Sequence, residues 1–176
     1  MIAVSNFRII VAFVLALPAS GCFYPPTTAP PPPSDRQTRI PIPFDLAWDA
    51  VRSVIVRNDF NIIAEDPNNG VIESEAPGGF SLKQADCGKL RTVATKYDAK
   101  PNDAATAVYN FTVKPAGDEA ATVSVQATYR SQLHVPIRPL TDERCVSRGV
   151  AEAALLKQIE KQAKLEHRPS FKPSAD

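Results

Sequence analysis

A chain of 176 residues and 19.1 kDa has room for one domain of ordinary size, and 44% hydrophobic with 22% charged residues excludes a disordered or an integral membrane protein. Twenty Lys and Arg balance 19 Asp and Glu, so no charge surplus indicates a nucleic acid or an acidic membrane as partner. The unusual counts are 17 prolines and three cysteines. In an exported protein, an odd number of cysteines requires a separate role for one thiol.

The N-terminal segment has the proportions of a signal peptide. One cation, Arg8, precedes the apolar run 9–17, which ends at Pro18. Nine apolar residues form a helix of about 14 Å, roughly half of what a bilayer core requires, so the run cannot span a membrane. We therefore expect residues 1–21 to be removed on export, which leaves 19 basic and 19 acidic residues in a neutral chain.

Three small residues and a cysteine follow the apolar run: Ala19, Ser20, Gly21 and Cys22. They resemble the lipobox of bacterial lipoproteins, with Ala19 at the position that Leu usually occupies. The resemblance implies cleavage between Gly21 and Cys22 and a diacylglycerol anchor on Cys22. Because Phe23 and not Asp follows, it also implies an outer-membrane location facing the periplasm. The alternative is an ordinary secretory signal with Cys22 as an incidental thiol.

Residues 22–37 are expected to form a lipidated, proline-rich tether. Six prolines among the fifteen residues 23–37 exclude a helix or a central strand. Such a segment favours polyproline II at about 3.1 Å per residue, which would place the domain up to roughly 45 Å from the lipid. The alternative to a spacer is a proline-rich ligand for another protein.

The folded part begins with a short extended segment and a helix. Ile40 and Ile42 alternate with prolines, which predicts a segment at a sheet edge. Apolar residues then recur at three- and four-residue steps from Asp45 to Asn58, which predicts a helix with Asp45 as its N-cap. Trp48 lies on the apolar face of this helix and is expected in the core.

Five strands are predicted next, because apolar and polar residues alternate with a period of two between turn sequences. They are expected at 60–65, 71–76, 93–97, 105–113 and 121–129. The first two form a hairpin, and the last three form an antiparallel meander with one polar face. A loop that contains Cys87 lies between these groups.

A second amphipathic helix is predicted from about Glu143 to Arg168, where Pro169 ends it. Two helices must then cover the one apolar face of the sheet. The prediction is an α+β domain over 38–168 of order β-α-β-β-β-β-β-α, in which a curved antiparallel sheet holds the helices in a helix-grip arrangement. Residues 169–176 form a tail.

If Cys22 is lipidated, two cysteines remain, Cys87 and Cys145. In the oxidising periplasm, an even number of remaining cysteines predicts a disulfide between them. The bond would join the loop before the meander to the start of the second helix. Closing the loop of about 58 residues between the two cysteines stabilises a domain by about 4 kcal/mol in the chain-entropy model. The alternative, a nucleophilic Cys145 served by His134, lacks a third orienting group.

Neither a metal nor a cofactor is predicted. The two histidines, His134 and His167, are far apart in the sequence and have no ligands at metal-binding spacing. His167 falls in the last predicted helical turn, where it suits the helix dipole. Glu73 and Glu75 fall on one face of a strand and are interpreted as a solvated face, not as paired catalytic acids.

With these features the chain resembles a small Gram-negative outer-membrane lipoprotein. The resemblance rests on Arg8, the apolar run and residues 19–22. The domain is also similar to the helix-grip domains of BamC, a lipoprotein accessory of the outer-membrane barrel assembly machine, on the basis of the element order and of residues 44–73.

The favoured hypothesis is a non-enzymatic envelope protein, anchored to the membrane through lipid, that presents a disulfide-stabilised domain to a protein partner. The alternative is a carrier that holds a lipid or another apolar molecule between the final helix and the sheet. Small residues at inward positions distinguish the two, because they leave a cavity unless larger neighbours fill it. They are Ala105, Ala107, Ala121, Ala127, Gly149 and Ala153.

Overall fold

The structure is a computed structural model that describes residues 23–24, 26–91, 96–98, 105–135 and 138–166. Its strands, in chain order, are β1 Phe23–Tyr24, β2 Gln37–Ile40, β3 Asn61–Asp66, β4 Val71–Glu75, β5 Ala85–Asp86, β6 Lys89–Arg91, β7 Lys96–Asp98, β8 Thr106–Pro115, β9 Ala121–Val135 and β10 Arg138–Ser147. Its α-helices are α1 Phe44–Arg57 and α2 Val150–Glu166. A short 3₁₀ helix spans Pro33–Arg36, so the prediction that the proline-rich residues contain no helix is wrong at this point.

Seven strands form one antiparallel sheet in the order β3-β4-β8-β9-β10-β5, with β2 beside the first part of β9. Helices α1 and α2 pack against each other and against β8 and β9. Alternate residues of β8 are buried, and those between them are partly exposed on the opposite face. The predicted α+β fold of an antiparallel sheet with two helices is therefore confirmed, and β2 has the predicted edge position.

Helix α1 forms because its apolar residues share one face. The buried ones are Ala47, Trp48, Ala50, Val51, Val54 and Ile55. Pro43 precedes the helix and its carbonyl accepts the Ala47 backbone N–H at 3.0 Å, so the predicted N-cap role of Asp45 is wrong. Asp45 lies in the first turn, where its charge complements the helix dipole. At the other end, Asn58 Nδ2 donates to the Val54 carbonyl at 2.8 Å.

The predicted β3–β4 hairpin is confirmed, and its turn is fixed by two residues. Asp66 accepts hydrogen bonds from the side chain and the backbone of Asn69, at 2.6 and 3.1 Å, and these bonds lower the pKa of Asp66. Gly70 has a φ of 64° and its carbonyl accepts the Val113 N–H at 2.7 Å. A Cβ on Gly70 would overlap the Val113 carbonyl oxygen, so glycine is needed for both conformation and space.

The prediction that residues 93–97 form a strand of the same meander as β8 and β9 is wrong. The described residues of this range, 96 and 97, lie in β7, which pairs with β6 in a separate three-stranded sheet of order β1-β6-β7. Strand β8 pairs with β4 on one side and with β9 on the other, so it has no free edge for this strand. Residues 92–95 lie outside the described part of the chain.

The predicted start of the second helix at Glu143 is also wrong, because Arg138–Ser147 form strand β10. Strand β10 pairs with β9 and places Cys145 opposite Tyr129. The register shifts near its beginning, around Pro139, which has no N–H for the ladder. This irregularity and the charged residues that follow conceal the alternation of the strand.

Helix α2 begins at Val150 and is described as far as Glu166. Its buried residues are Ala151, Glu152, Leu155, Leu156, Ile159, Gln162 and Ala163. Ala153 is exposed, so its predicted inward position is wrong. The reason is the later helix start: the residues that face the core follow from Val150, not from a helix that begins at Glu143.

Replacing Gly70 by Ala should destabilise the domain more than the same change at Gly78. Both glycines have positive φ, at 64° and 74°, but a Cβ added to Gly78 would meet no atom within 4 Å, whereas Gly70 faces Val113. We expect a loss of about 1 kcal/mol for Gly78→Ala and about 2 to 4 kcal/mol for Gly70→Ala, from urea unfolding. Equal losses would contradict the contact with Val113.

Candidate functional site

The disulfide between Cys87 and Cys145 lies at the junction of β5 and β10. Its Cα atoms are 4.2 Å apart, and the two residues are 1% and 7% exposed. The pairing of Asp86 with Val146 brings the neighbouring cysteines opposite each other. The predicted disulfide is therefore confirmed, but it joins the loop to a strand and not to a helix. Cys145 is consequently not a free nucleophile.

Asp86 holds the N-terminal part of the chain beside this disulfide. Its Oδ2 accepts hydrogen bonds from the Thr28 hydroxyl at 2.6 Å and from the Thr28 backbone N–H at 3.3 Å. Its Oδ1 accepts the Gly88 N–H at 2.8 Å, and Arg148 Nη2 lies 3.9 Å from Oδ2. We call these four residues, Thr28, Asp86, Gly88 and Arg148, the Asp86 clasp.

A second contact supports the clasp at the start of α2. Gly149 has a φ of 77°, and a Cβ at this position would lie 3.2 Å from Pro31 Cβ. The sequence analysis placed Gly149 among the inward-facing small residues, whereas in the structure it lies against Pro31 of the proline-rich segment. Residues 26–36, called the proline segment below, therefore lie against the domain. This differs from the extended spacer that their composition predicts.

The surroundings of Asp86 stabilise its charged carboxylate form. Burial, the largest single influence, raises its pKa, but the Thr28 and Gly88 hydrogen bonds and the Arg148 charge act in the opposite direction and prevail. The pKa of Asp86 is therefore lower than usual. The carboxylate is the form that binds Thr28, because only that form accepts all of these hydrogen bonds.

A second group of polar side chains is enclosed between the sheet and α2. The hydroxyls of Tyr109 and Tyr129 lie 3.5 Å apart, and burial raises the pKa of each. Glu152 accepts a 2.6 Å hydrogen bond from Ser147, whose Oγ also accepts the Gly149 N–H at 3.0 Å. Tyr109, Tyr129 and Glu152 are at most 2% exposed. The group therefore presents no surface to a substrate and joins β10 to the first turn of α2.

The space between α2 and the sheet is filled by large side chains. Phe111, Tyr129 and Ile159 are at most 1% exposed within the contiguous core, and Phe60 stacks on Tyr109 with ring centroids 5.1 Å apart. Ala107 and Ala121 are themselves fully buried in this core. Ala105 is 8% exposed, and Ala127 is partly buried.

A groove of about 380 Å³ lies outside this core, between the edge strand and α2. It is lined by the buried residues Ile40, Ile42 and Ala163 and by Arg39, Pro41, Glu160 and Lys164. The Thr38 hydroxyl donates to Glu160 at 2.6 Å and holds β2 to α2 beside the groove. The groove lies between the final helix and the sheet, where the carrier alternative places its ligand, but at the edge of the sheet and outside the main core.

The other residues that the sequence singled out fall into three groups. Trp48 is 8% exposed and lies in the core, as predicted. Glu73 and Glu75 are partly exposed on the outer face of β4. Cys22, Gly21 and His167 lie outside the described residues, as does the side chain of His134.

The Asp86 clasp was not predicted from the sequence. Its partners are 58 residues apart, and neither Thr28 nor Asp86 belongs to a recognisable motif. The one available signal is that two residues of opposite charge, Asp86 and Arg148, stand close to the two cysteines in the sequence.

The chain matches no known protein family, and no curated protein is detectably similar to it. None of the described helices is long and apolar enough to cross a membrane. Among the described residues, no group of three or more His, Cys, Asp or Glu is placed to hold a metal ion.

Reduction of the disulfide should lower the free energy of unfolding by about 4 kcal/mol, because the bond closes a loop across a separation of 58 residues. Urea unfolding with and without dithiothreitol measures this. The variant Cys87→Ala/Cys145→Ala is the control and should not respond to the reductant. Equal midpoints for the parent protein under both conditions would contradict the structure.

Asp86→Asn should destabilise the domain by about 2 kcal/mol at neutral pH, through the loss of charge-assisted hydrogen bonds to Thr28 and Gly88. Because the folded pKa of Asp86 is lowered, its contribution is complete above the usual Asp range and is lost as the pH falls through the folded value. The difference between the two proteins should therefore narrow below about pH 4.

Urea unfolding at several pH values measures this difference. Asp118→Asn, at an exposed turn, is the matched control and should change stability little at any pH. A gap between parent and Asp86→Asn that stays constant from neutral to acidic pH would show that the Asp86 charge does not hold the clasp.

Proposed function

We propose that this protein is a lipid-anchored envelope protein without enzymatic activity. Acyl groups on Cys22 hold it at the periplasmic side of the outer membrane, where its domain binds a protein partner. The observation that carries the proposal is the buried Cys87–Cys145 disulfide. Disulfides persist in oxidising compartments such as the periplasm and are rare in the cytosol.

The disulfide supports the export signal because it accounts for the cysteine count. Two cysteines pair within the domain, and Cys22 remains at the end of a segment with the length and composition of a lipoprotein signal. An exported chain with an unpaired thiol at this position needs a use for it, and lipidation supplies one. The disulfide is a feature of the folded domain, and the signal is a feature of the N-terminal sequence, so each supports export by a different observation.

The core favours a binding domain over a carrier or an enzyme. Large side chains fill the space between α2 and the sheet, and the polar group around Glu152 is closed to solvent. In contrast, β3 stands at the end of the sheet order, and Ile63 on it is 50% exposed. Val56, near the end of the adjoining helix α1, is 65% exposed. A sheet edge with exposed apolar residues is a common site for protein partners.

The element order is similar to that of the BamC domains, but the function of BamC is not transferred to this chain. The likeness concerns the element order and residues 44–73, and the disulfide is not attributed to that family. The partner is therefore proposed as an envelope protein of unspecified identity, recognised mainly by shape because the mature chain is neutral.

Cys22→Ser should release the protein from the membrane fraction, since no other part of the proposed anchoring holds two acyl chains in the bilayer. Membrane fractionation and metabolic labelling with a fatty-acid analogue measure the result. Cys87→Ala/Cys145→Ala is the control and should keep the label. Membrane association of Cys22→Ser in the absence of label would contradict the proposal.

Binding of a partner at the β3 edge is tested in cells that express the parent protein or Cys22→Ser, with a photo-crosslinking amino acid in place of Ile63. We expect a discrete crosslinked species in intact cells that is weaker in the Cys22→Ser strain, because the released domain is diluted away from a membrane partner. Position 157, exposed on α2, is the matched control site. The same crosslinks from both positions would indicate random collision and contradict a partner at the β3 edge.

A further inference from the structure

We propose that the groove between β2 and α2 is a binding site for a single-chain carboxylate, such as a free fatty acid. Its volume of about 380 Å³ falls within the range of roughly 300–1,000 Å³ that is usual for small-molecule sites. The site does not depend on the proposed lipid anchor. It also lies away from the proposed partner edge, because β4, β8 and β9 separate β2 from β3 in the sheet.

The apolar lining of the groove is preformed. Ile40, Ile42 and Ala163 line it, and all three belong to the main core and are at most 3% exposed. The Thr38 hydroxyl donates to Glu160 at 2.6 Å and ties the strand to the helix at this point. A ligand therefore finds its apolar contacts already in place and does not have to open the fold. An apolar lining of this kind suits an alkyl chain.

The charges at the groove favour an anionic head group on that chain. The lining contains two exposed cations, Arg39 and Lys164, and one acid, Glu160. Arg39 Nη2 donates to the Ala116 carbonyl at 3.1 Å, and this neutral acceptor positions the guanidinium without compensating its charge. Neither cation forms an ion pair within the described part of the chain. A carboxylate would supply the missing negative charge and accept hydrogen bonds from both side chains.

The prolines beside the groove favour a small ligand over a peptide strand. Strand β2 pairs with β9 alone among the described strands, and an extended peptide can add to a free strand edge of this kind. However, β2 has only four residues, and Pro41 and Pro43 follow it without an N–H for a ladder. An alkyl chain needs contact area and no backbone hydrogen bonds. The prolines therefore weaken the groove as a site for a peptide but not as a site for a fatty acid.

The test is an NMR titration with decanoate of the oxidised full chain that carries Cys22→Ser. This substitution removes the proposed acyl groups, so no detergent competes for the groove. We expect saturable shifts of the backbone amides of Ile40, Ile42 and Ala163, and no shift of Ile63 on β3. Decanol has the same alkyl chain without the charge and should bind about tenfold more weakly, because it forms no ion pair with the two cations.

Two pairs of variants test the contribution of the cations. Lys164→Gln should weaken the binding of decanoate about three- to fivefold, whereas Lys161→Gln, exposed on α2 but outside the groove, should leave it unchanged. Lys164 forms no hydrogen bond or ion pair with another described residue, so this change leaves the fold intact. Arg39→Gln should weaken binding by a similar factor, and Arg39→Lys, which keeps the charge, should weaken it less.

Four outcomes would overturn the site. Equal affinities for decanoate and decanol would show that the groove does not recognise the head group. Equal losses in Lys164→Gln and Lys161→Gln would show a general attraction of anions to α2. Shifts that avoid the groove or do not saturate would show that it holds no ligand. Groove shifts that depend on protein concentration in the absence of decanoate would indicate a second copy of the chain as the occupant.

These outcomes are independent of the proposed function. Membrane fractionation of Cys22→Ser and crosslinking at position 63 do not involve the groove. A failure of the titration would therefore leave the proposed anchor and the proposed partner edge unaffected.

Discussion

The bond between Cys87 and Cys145 closes a loop that contains strands β6 to β9 and most of β10. It holds the short strand β5 against the end of β10, which leads directly into α2. Asp86 stands next to this bond, and the carboxylate meets Thr28 there because β5 is held in place. The position of the proline segment on the domain thus depends on a cross-strand disulfide.

This arrangement changes the meaning of the proline-rich composition. Prolines favour an extended chain and disfavour an α-helix, but they do not decide whether the segment stands free or lies on a surface. Here two contacts, with Asp86 and with Gly149, hold it on the domain. In the proposed function the lipid anchor and the domain then form one unit at the bilayer, and the β3 edge remains free for a partner.

The sequence was sufficient to predict a helix or strand wherever one face of the element is buried and the other is exposed to solvent. The alternation along β8 and β9, the apolar face of α1 and the turn that ends at Gly70 are local signals, and the structure confirms all three. It was insufficient for β10, where Pro139 and a run of charged residues interrupt the alternation. An error at that point moved the start of α2 and hence the predicted orientation of Ala153.

The disulfide could be predicted because two cysteines in an oxidising compartment tend to pair, whatever the local pattern of apolar and polar residues around them. The clasp could not, since a Thr–Asp contact across 58 residues has no composition or spacing of its own. The same holds for the pairing of β1 with β6, which joins two stretches that lack any strand signal. Long-range polar contacts between ordinary residues are decided by the packed fold, not by the segments that make them.

The most direct test of this account is the hydrogen exchange of the Thr28 backbone amide, which donates to Asp86 at 3.3 Å. Amide exchange measured by NMR on the oxidised domain should show protection of Thr28, and the protection should fall in Asp86→Asn and after reduction of the disulfide. A Thr28 amide that exchanges at the rate of an unstructured peptide in the oxidised parent protein would show that the proline segment stands free, and the account would be wrong.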